Sequence, residues 1–137
     1  MSPAQSPTPV IVLERPIPGV LVIRLNRPER LNAMTAELVE GLHRVLDGIA
    51  IDADCRVVIL TGAGRGFCAG LDLNGYGDAP NTEDFGAVQR SFAVQKHIAS
   101  LMSHMRSIPQ PIISAVNGAA AGGGLALVLG SDNRIGA

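Results

Sequence analysis

The chain has 137 residues, 47% of them hydrophobic, and its 11 basic and 12 acidic side chains give a net charge of −1. This length and hydrophobic content predict one folded domain with a packed core and exclude a wholly disordered chain. The near-neutral charge and the low aromatic content, three Phe and one Tyr, argue against a nucleic-acid-binding surface.

The N-terminal residues 1–9 are rich in proline and small polar residues, with neither a basic start nor an apolar run. They predict a disordered lead rather than a signal peptide, with residues 10–137 as the folded part and the cytoplasm as the default location. The two cysteines, Cys55 and Cys68, are too few for a disulfide scaffold and form no C-x-x-C pair.

Strand-like and helix-like patterns alternate along the chain. The sequence predicts strands at 10–14 and 20–25 joined as a hairpin, a helix from the N-cap Thr35 to Ala50, and a strand at 57–61 that is covered on both faces. A polar loop at 74–80 follows, and then a helix at 83–105 with an apolar face that includes Val88, Phe92 and Met105. The last predicted elements are a strand at 112–116, a helix at 123–129 and a strand that starts at Arg134. This order predicts an α/β domain. The last strand is expected to be incomplete, because the chain ends just after it starts.

The segment 111–131 contains no charged residue and has the length of a membrane-spanning helix. However, Ser114, Asn117 and three consecutive glycines interrupt it, and each glycine weakens a helix by roughly 1 kcal/mol relative to Ala. A buried strand followed by a glycine-rich turn is the favoured interpretation, and a membrane segment is the alternative.

Two glycine-rich segments, 62–73 and 117–125, each follow an apolar strand directly. Neither is a dinucleotide or nucleotide phosphate loop, because Phe67 stands where a third glycine would fall and neither segment contains lysine. Small residues leave backbone N–H groups accessible, and the second segment opens a helix, so two such loops could direct two N–H donors at one carbonyl oxygen. The alternative is that the glycines only permit tight turns and close packing.

Three motifs, in order, resemble the crotonase (enoyl-CoA hydratase/isomerase) family. They are Asn26 to Met34 (NRPERLNAM), Gly66 to Leu73 (GFCAGLDL) and Pro111 to Gly124 (PIISAVNGAAAGGG), and the ending Ser131 to Ile135 also matches. The similarity runs from about Val10 to the C-terminus. It implies the N-terminal part of a crotonase-like spiral of β-β-α units, incomplete at the C-terminus, that binds coenzyme A thioesters.

The resemblance also implies roles for particular positions. The backbone N–H groups of Leu71 and Gly123 would hold the thioester oxygen while enolate charge develops on it. The positions that would line the substrate and CoA region are Arg30, Leu31, Ala69, Asp72, Leu73 and Gly122. Asn32 is predicted to fix the loop before the first helix rather than to contact substrate. Coenzyme A would be part of the substrate, with no separately bound cofactor and no metal.

The sequence departs from the family at its acid–base residues. Hydratases carry a glutamate where this chain has Ala126, and the second family carboxylate falls beyond residue 137. Two-carboxylate hydration is therefore in doubt, whereas isomerase-type members work with the second carboxylate alone. Glu83 and Asp84, predicted at the start of the second long helix, are weak substitutes, because acidic residues at a helix start also favour the helix dipole.

The cysteine and histidine side chains give weaker indications of a catalytic or metal site. A Cys68–histidine pair would be a nucleophile candidate, but an unpaired cysteine usually serves as a small core residue. His97 and His104 lie seven residues apart on one predicted helix and could face the same way, but without a third ligand they predict packed or solvated histidines rather than a metal site.

Three hypotheses follow. The first is an acyl-CoA enzyme of the hydratase/isomerase type, assembled as a homotrimer or hexamer, as is usual in the family, if the full-length fold is present. The second is a non-catalytic acyl-CoA binder or an inactive truncated product. The third is a protein with a membrane segment at 111–131.

Overall fold

The structure is a computed structural model that describes residues 8–136, so most of the predicted N-terminal lead, 1–9, lies outside the described residues. The elements in chain order are β1 (Ile11–Glu14), β2 (Val20–Leu25), a one-turn 3₁₀ helix (Pro28–Arg30), α1 (Ala36–Ala50), β3 (Val57–Gly62), α2 (Ala87–Ser107), β4 (Ile112–Val116), α3 (Gly123–Gly130) and β5 (Asn133–Gly136). The predicted strands and three helices are confirmed. The 3₁₀ helix was not predicted.

The five strands form one sheet in the order of the chain, β1 to β5. The β1–β2 hairpin is antiparallel, with Ile11 opposite Leu25, and the remaining neighbours are parallel. Each parallel step passes through a helix. Because α1 packs against α2 and α2 against α3, the helices form a single layer over one face of the sheet.

Short extended segments add a second strand-like piece to each turn of the chain. Met34, just before α1, bridges to Leu71, and Cys68 bridges to Ala120, both in parallel orientation. A turn therefore consists of a long strand, a short bridged segment and a helix. This is the β-β-α spiral that the resemblance predicted.

The core lies between the sheet and the helix layer. Alternate residues of the strands, including Leu21, Ile23, Val58, Leu60 and Ile112, are almost fully buried there. The third strand, predicted to be covered on both faces, is buried on the face toward the helices. On its other face, Val57 and Ile59 are half-buried and Thr61 is buried.

Helix α1 begins as predicted. The Thr35 side chain accepts a hydrogen bond from the Leu38 N–H at 3.3 Å, which satisfies one of the free amides of the first turn. The buried residues of α1 are Leu38, Val39, Gly41, Leu42, Leu46 and Ile49.

Helix α2 begins at Ala87 rather than at residue 83. The Arg90 side chain donates to the carbonyl oxygens of Glu83 and Phe85, and these bonds hold residues 82–86 in a separate turn. The predicted apolar face was also wrong in its first half, because Val88 is 84% exposed and Phe92 is 64% exposed. The buried residues of α2 are His97, Ile98, Leu101 and Met105.

The uncharged segment 111–131 folds as the favoured interpretation predicted. It divides into β4, a glycine-rich loop and the eight-residue helix α3. In residues 8–136, no helix combines the length and the apolar character needed to cross a membrane.

Candidate active site at the junction of two glycine-rich loops

The glycine-rich loops that follow β3 and β4 pack directly against each other. We call this contact, between residues 62–71 and 117–124, the loop junction. The Ala121 N–H donates to the Cys68 carbonyl at 3.0 Å, and the Cys68 N–H donates to the Ala119 carbonyl at 3.2 Å. A Cβ atom on Gly124 would lie 2.1 Å from the Cys68 carbonyl oxygen, and one on Gly118 would lie 1.9 Å from that of Arg65. The predicted close packing of glycines is therefore real at these two positions.

Two asparagine side chains hold the first loop in place. Asn32 is fully buried, and its amide group donates to the carbonyls of Ala63 and Gly66 at 3.0 Å each while its oxygen accepts from the Arg27 N–H. Asn117 donates to the same Gly66 carbonyl at 3.1 Å. Asn32 therefore fixes the loop before α1, as the sequence predicted.

The Leu71 N–H lies beside this junction. Met34 pairs with the chain on either side of Leu71, since its N–H donates to the Gly70 carbonyl at 2.6 Å and its carbonyl accepts from the Asp72 N–H at 3.0 Å. This pairing leaves the Leu71 N–H on the other side of the segment. Across residues 8–136, no protein acceptor receives a hydrogen bond from it.

The Gly123 N–H is in the same situation at the first residue of α3. It too donates to no acceptor among the described residues, as is usual for the first amides of a helix. The loops bring the two donors into one neighbourhood, because a Cβ on Gly70 would lie 3.6 Å from the Gly122 Cα. The junction thus combines close backbone packing with two unused N–H groups that can receive an oxygen with negative charge.

The other predicted site residues surround the first loop. Arg30 and Leu31 end the 3₁₀ helix, and the Leu31 carbonyl accepts from the Ala69 N–H at 3.0 Å. Leu73 is 94% exposed. Arg30, Ala69 and Gly122 are also exposed, and Leu31 is half-buried.

Asp72 is turned into the protein. Its carboxylate is buried, accepts from the Asn74 N–H at 2.8 Å and forms an ion pair with Arg27 at 2.9 Å. The Asn74 N–H, followed by the Arg27 guanidinium, lowers the pKa of Asp72 below its ordinary value. This pair fixes the chain immediately after Leu71, and a contact of Asp72 with substrate stays a prediction.

The candidate acids lie outside the junction, and the candidate nucleophile Cys68 lies in its first loop with a buried side chain. Glu83 and Asp84 are exposed and lie in the turn before α2, which corrects their predicted place in its first turn. Cys68 is fully buried, and burial raises the pKa of its thiol, so the thiolate needed for nucleophilic attack is disfavoured. Ala126 lies in α3, one turn after Gly122.

The three histidines meet elsewhere, between α1 and α2. His43 Nδ1 lies 2.6 Å from His104 Nδ1, and the His43 ring stacks on that of His97 with centroids 5.9 Å apart. His97 and His104 share one helix face, as predicted. The participation of His43 was not predicted. In the described part of the chain, no group of three or more His, Cys, Asp or Glu residues is placed to hold a metal ion.

Sequence reasoning missed three residues that shape the junction: Arg27, Tyr76 and Asn117. The motif containing Arg27 carried a usable clue, because a buried carboxylate such as Asp72 needs a cationic partner. Asn117 directly follows a buried strand, where a polar side chain is positioned to hold the next loop. Tyr76 lies in the predicted polar loop, and the sequence gives no indication of its burial.

The β-β-α spiral, with two glycine-rich loops at the carboxyl ends of neighbouring parallel strands, places the chain in the crotonase class. A family model for enoyl-CoA hydratase/isomerase matches residues 17–137. The chain therefore belongs to the enoyl-CoA hydratase/isomerase family.

Individual relatives agree with this assignment. The chain is 41% identical over 133 residues to a protein of Mycobacterium leprae named "probable enoyl-CoA hydratase", covering 97% of this chain and 45% of the relative. It is 42% identical over 114 residues to the 1,2-epoxyphenylacetyl-CoA isomerase of Escherichia coli, covering 83% and 42%. A crystal structure from Mycobacterium abscessus, described as a "probable enoyl-CoA hydratase/isomerase", aligns with a TM-score of 0.86 at 34% identity, covering 95% and 47%. The chain spans about half the length of the curated relatives it matches.

Proposed function

We propose that the chain forms part of an acyl-CoA enzyme in which the Leu71 and Gly123 N–H groups bind the thioester carbonyl oxygen and stabilise its enolate. The observation that carries this proposal is that both N–H groups lack a protein acceptor in residues 8–136 while lying on adjoining sides of the loop junction. Coenzyme A enters as part of the substrate, and no separate cofactor is needed.

The chemistry follows from the position of these donors. Removing a proton next to a thioester carbonyl moves negative charge onto the carbonyl oxygen. Two fixed N–H groups stabilise that charge more than they stabilise the neutral carbonyl, and losing one such donor typically costs about 3–4 kcal/mol in the transition state. Arg30, Leu31, Ala69, Asp72, Leu73 and Gly122 are the proposed substrate and CoA contacts.

The reaction type is constrained by Ala126, whose methyl group can neither donate nor accept a proton. Hydration through a pair of carboxylates would lack one member, so we favour isomerase-type proton transfer that uses an acid outside residues 1–137. Trimeric or hexameric assembly and a cytoplasmic location remain predictions from the sequence and its resemblance.

A second candidate is a non-catalytic acyl-CoA-binding protein. It is favoured by the same Ala126 and by the position of Glu83 and Asp84, which are exposed in the turn before α2. Such a protein would bind acyl-CoA esters without converting 2-enoyl-CoA or 3-enoyl-CoA. The intact mass of the protein from its source cell is the first measurement, because it establishes whether more chain is present to supply an acid.

The decisive test compares Gly123→Pro with Gly123→Ala. Both variants place a Cβ near Met34 Sδ, 2.7 Å from the ideal Cβ position, but only proline removes the N–H, at a first helical position where proline is well tolerated. We expect enoyl-CoA conversion by the proline variant to be about 100-fold slower than by the alanine variant. Acyl-CoA binding should weaken as well, because the proline ring carbon Cδ takes the place of the N–H hydrogen. Equal rates in the two variants would contradict the proposed role of Gly123. Binding without turnover in the unmodified protein would favour the second candidate.

A further inference from the structure

Tyr76 is buried in a segment that is otherwise largely exposed. The chain from Leu73 to Asp78 lies on the surface except for this residue, whose side chain is 8% exposed. Its backbone carbonyl accepts from the Ala36 N–H at 2.7 Å, at the first residue of α1. Tyr76 therefore attaches the segment after Leu71 to the start of α1.

The Tyr76 hydroxyl ends a chain of hydrogen bonds that crosses both long helices. Its oxygen lies 2.6 Å from His97 Nδ1, and His97 Nε2 is hydrogen-bonded to the Glu40 carboxylate of α1. A carboxylate only accepts, so His97 Nε2 carries the proton of that bond. In the neutral form of the ring, Nδ1 is an acceptor and the Tyr76 O–H donates to it. We call Tyr76, His97 and Glu40 together the Tyr76 anchor.

The Tyr76 anchor adjoins both proposed oxyanion donors. On one side, the segment from Gly70 to Tyr76 lies along Met34 to Ala36, held at one end by the Met34 bonds beside Leu71 and at the other by the Ala36–Tyr76 bond. On the other side, Ile98 follows His97 in α2, and a Cβ on Gly123 would lie 3.2 Å from Ile98 Cγ2.

We propose that Tyr76 is a positioning residue whose hydrogen bond to His97, oriented by Glu40, fixes the Leu71 N–H relative to that of Gly123. This inference rests on the proposed function. The Tyr76 hydroxyl does not touch substrate. It acts by restraining the four residues that separate it from Leu71, because a small displacement of an oxyanion donor is sufficient to slow catalysis.

The test uses the protein as its source cell makes it and compares Tyr76→Phe with His104→Gln. Tyr76→Phe deletes only the hydroxyl oxygen, whereas His104→Gln changes the same helix interface outside the anchor. We expect Tyr76→Phe to raise amide hydrogen exchange in residues 71–78 about fivefold, as loss of one hydrogen bond predicts, and to lower kcat by a similar factor with KM nearly unchanged. His104→Gln should change neither quantity.

Glu40 supplies a second, independent variant, since its side chain is 40% exposed and its replacement disturbs the core less. Glu40→Ala should reproduce the Tyr76→Phe effects. Glu40→Gln should show smaller effects on exchange and kcat, because the amide oxygen still accepts from His97. Increased exchange without a change in kcat, in both Tyr76→Phe and Glu40→Ala, would overturn the proposal.

Failure of the proposed function would give a different experimental result from failure of the positioning role of Tyr76. An unmodified protein that converts no acyl-CoA ester would contradict that function and with it the kinetic role of Tyr76. The exchange measurement would still report whether the anchor restrains residues 71–78. Unchanged exchange in both variants would overturn the restraint itself.

Discussion

The loop junction and the α1–α2 interface hold the molecule together by opposite means. At the junction, the main chains of the two loops are in direct contact, and there is no room for a Cβ on Gly118 or Gly124. At the interface, polar side chains of the two helices pair across it: Glu40 with His97, His43 with His104 and Ser100, and Asp47 with His104. We call these six residues the helix seam. The junction depends on absent side chains, whereas the seam depends on particular side chains being present.

This difference predicts how each region responds to substitution. A side chain added at the junction must displace main chain, which cannot move away by changing rotamer, so small changes should have large effects. A side chain lost from the seam leaves partly exposed groups that water can reach. Its loss should therefore have a small effect that depends on protonation.

The largest effect is expected from Gly124→Ala. The new Cβ would lie 2.1 Å from the Cys68 carbonyl oxygen, so the two loops must separate. We expect a loss of about 3 kcal/mol or more in the free energy of unfolding and loss of acyl-CoA conversion. Chemical denaturation and a turnover assay measure the two quantities.

Gly48→Ala is the matched control for this prediction. Gly48 lies in α1, and a Cβ there would meet nothing within 4 Å. Alanine should therefore raise stability by up to about 1 kcal/mol through its higher helix propensity. If Gly124→Ala were as stable as Gly48→Ala, the close packing inferred at the junction would be wrong.

Asn32→Ala should have the next largest effect, because it removes the side chain that ties the first loop to the chain before α1. The variant leaves the Ala63 carbonyl and the Arg27 N–H without their partner and the Gly66 carbonyl with Asn117 alone, and we expect a cost of about 2–3 kcal/mol. Part of that cost is conformational, because Asn32 has a φ of 57° that alanine adopts less readily.

Asn81→Ala separates the two contributions. Asn81 has nearly the same φ, 61°, but lies in an exposed turn. Its replacement should cost only the conformational part, about 1 kcal/mol. Comparable losses in the two variants would mean that the Asn32 hydrogen bonds contribute little.

The same difference explains which parts of the structure the sequence could predict. Hydrophobic periodicity predicted the strands and α1, because those elements bury a regular stripe of their own residues. The glycine-rich segments predicted two loops that could meet, and they do meet. The family resemblance alone implied Leu71 and Gly123 as the donors. Whether those donors bind an oxyanion remains a prediction.

The helix seam and the start of α2 could not be predicted in this way. Glu40 pairs with a residue 57 positions away and His43 with one 61 positions away, and nothing in either local sequence indicates its partner. The start of α2 depends on Arg90, which reaches back to the carbonyls of the preceding turn. Both features arise from tertiary contacts between polar side chains, which periodicity does not report.

The smallest expected effect concerns the seam and appears only when pH is varied. Burial, followed by the nearby His104 and His97 rings, lowers the pKa of His43 below its ordinary value of 6.5. Between the lowered pKa and 6.5 the unfolded chain binds more protons at this residue than the folded chain does. The contribution of His43 to stability is therefore fully present above pH 6.5 and is lost as the pH falls below it.

His43→Gln tests this sign, because glutamine keeps a polar group toward Ser100 but does not titrate. We expect the free energy of unfolding of the unmodified chain to fall more steeply than that of the variant as the pH is lowered from about 7.5 to about 5.5. Denaturant titrations at several pH values measure both slopes. Identical slopes would show that His43 is protonated equally in the folded and unfolded chains and would contradict its predicted contribution to stability.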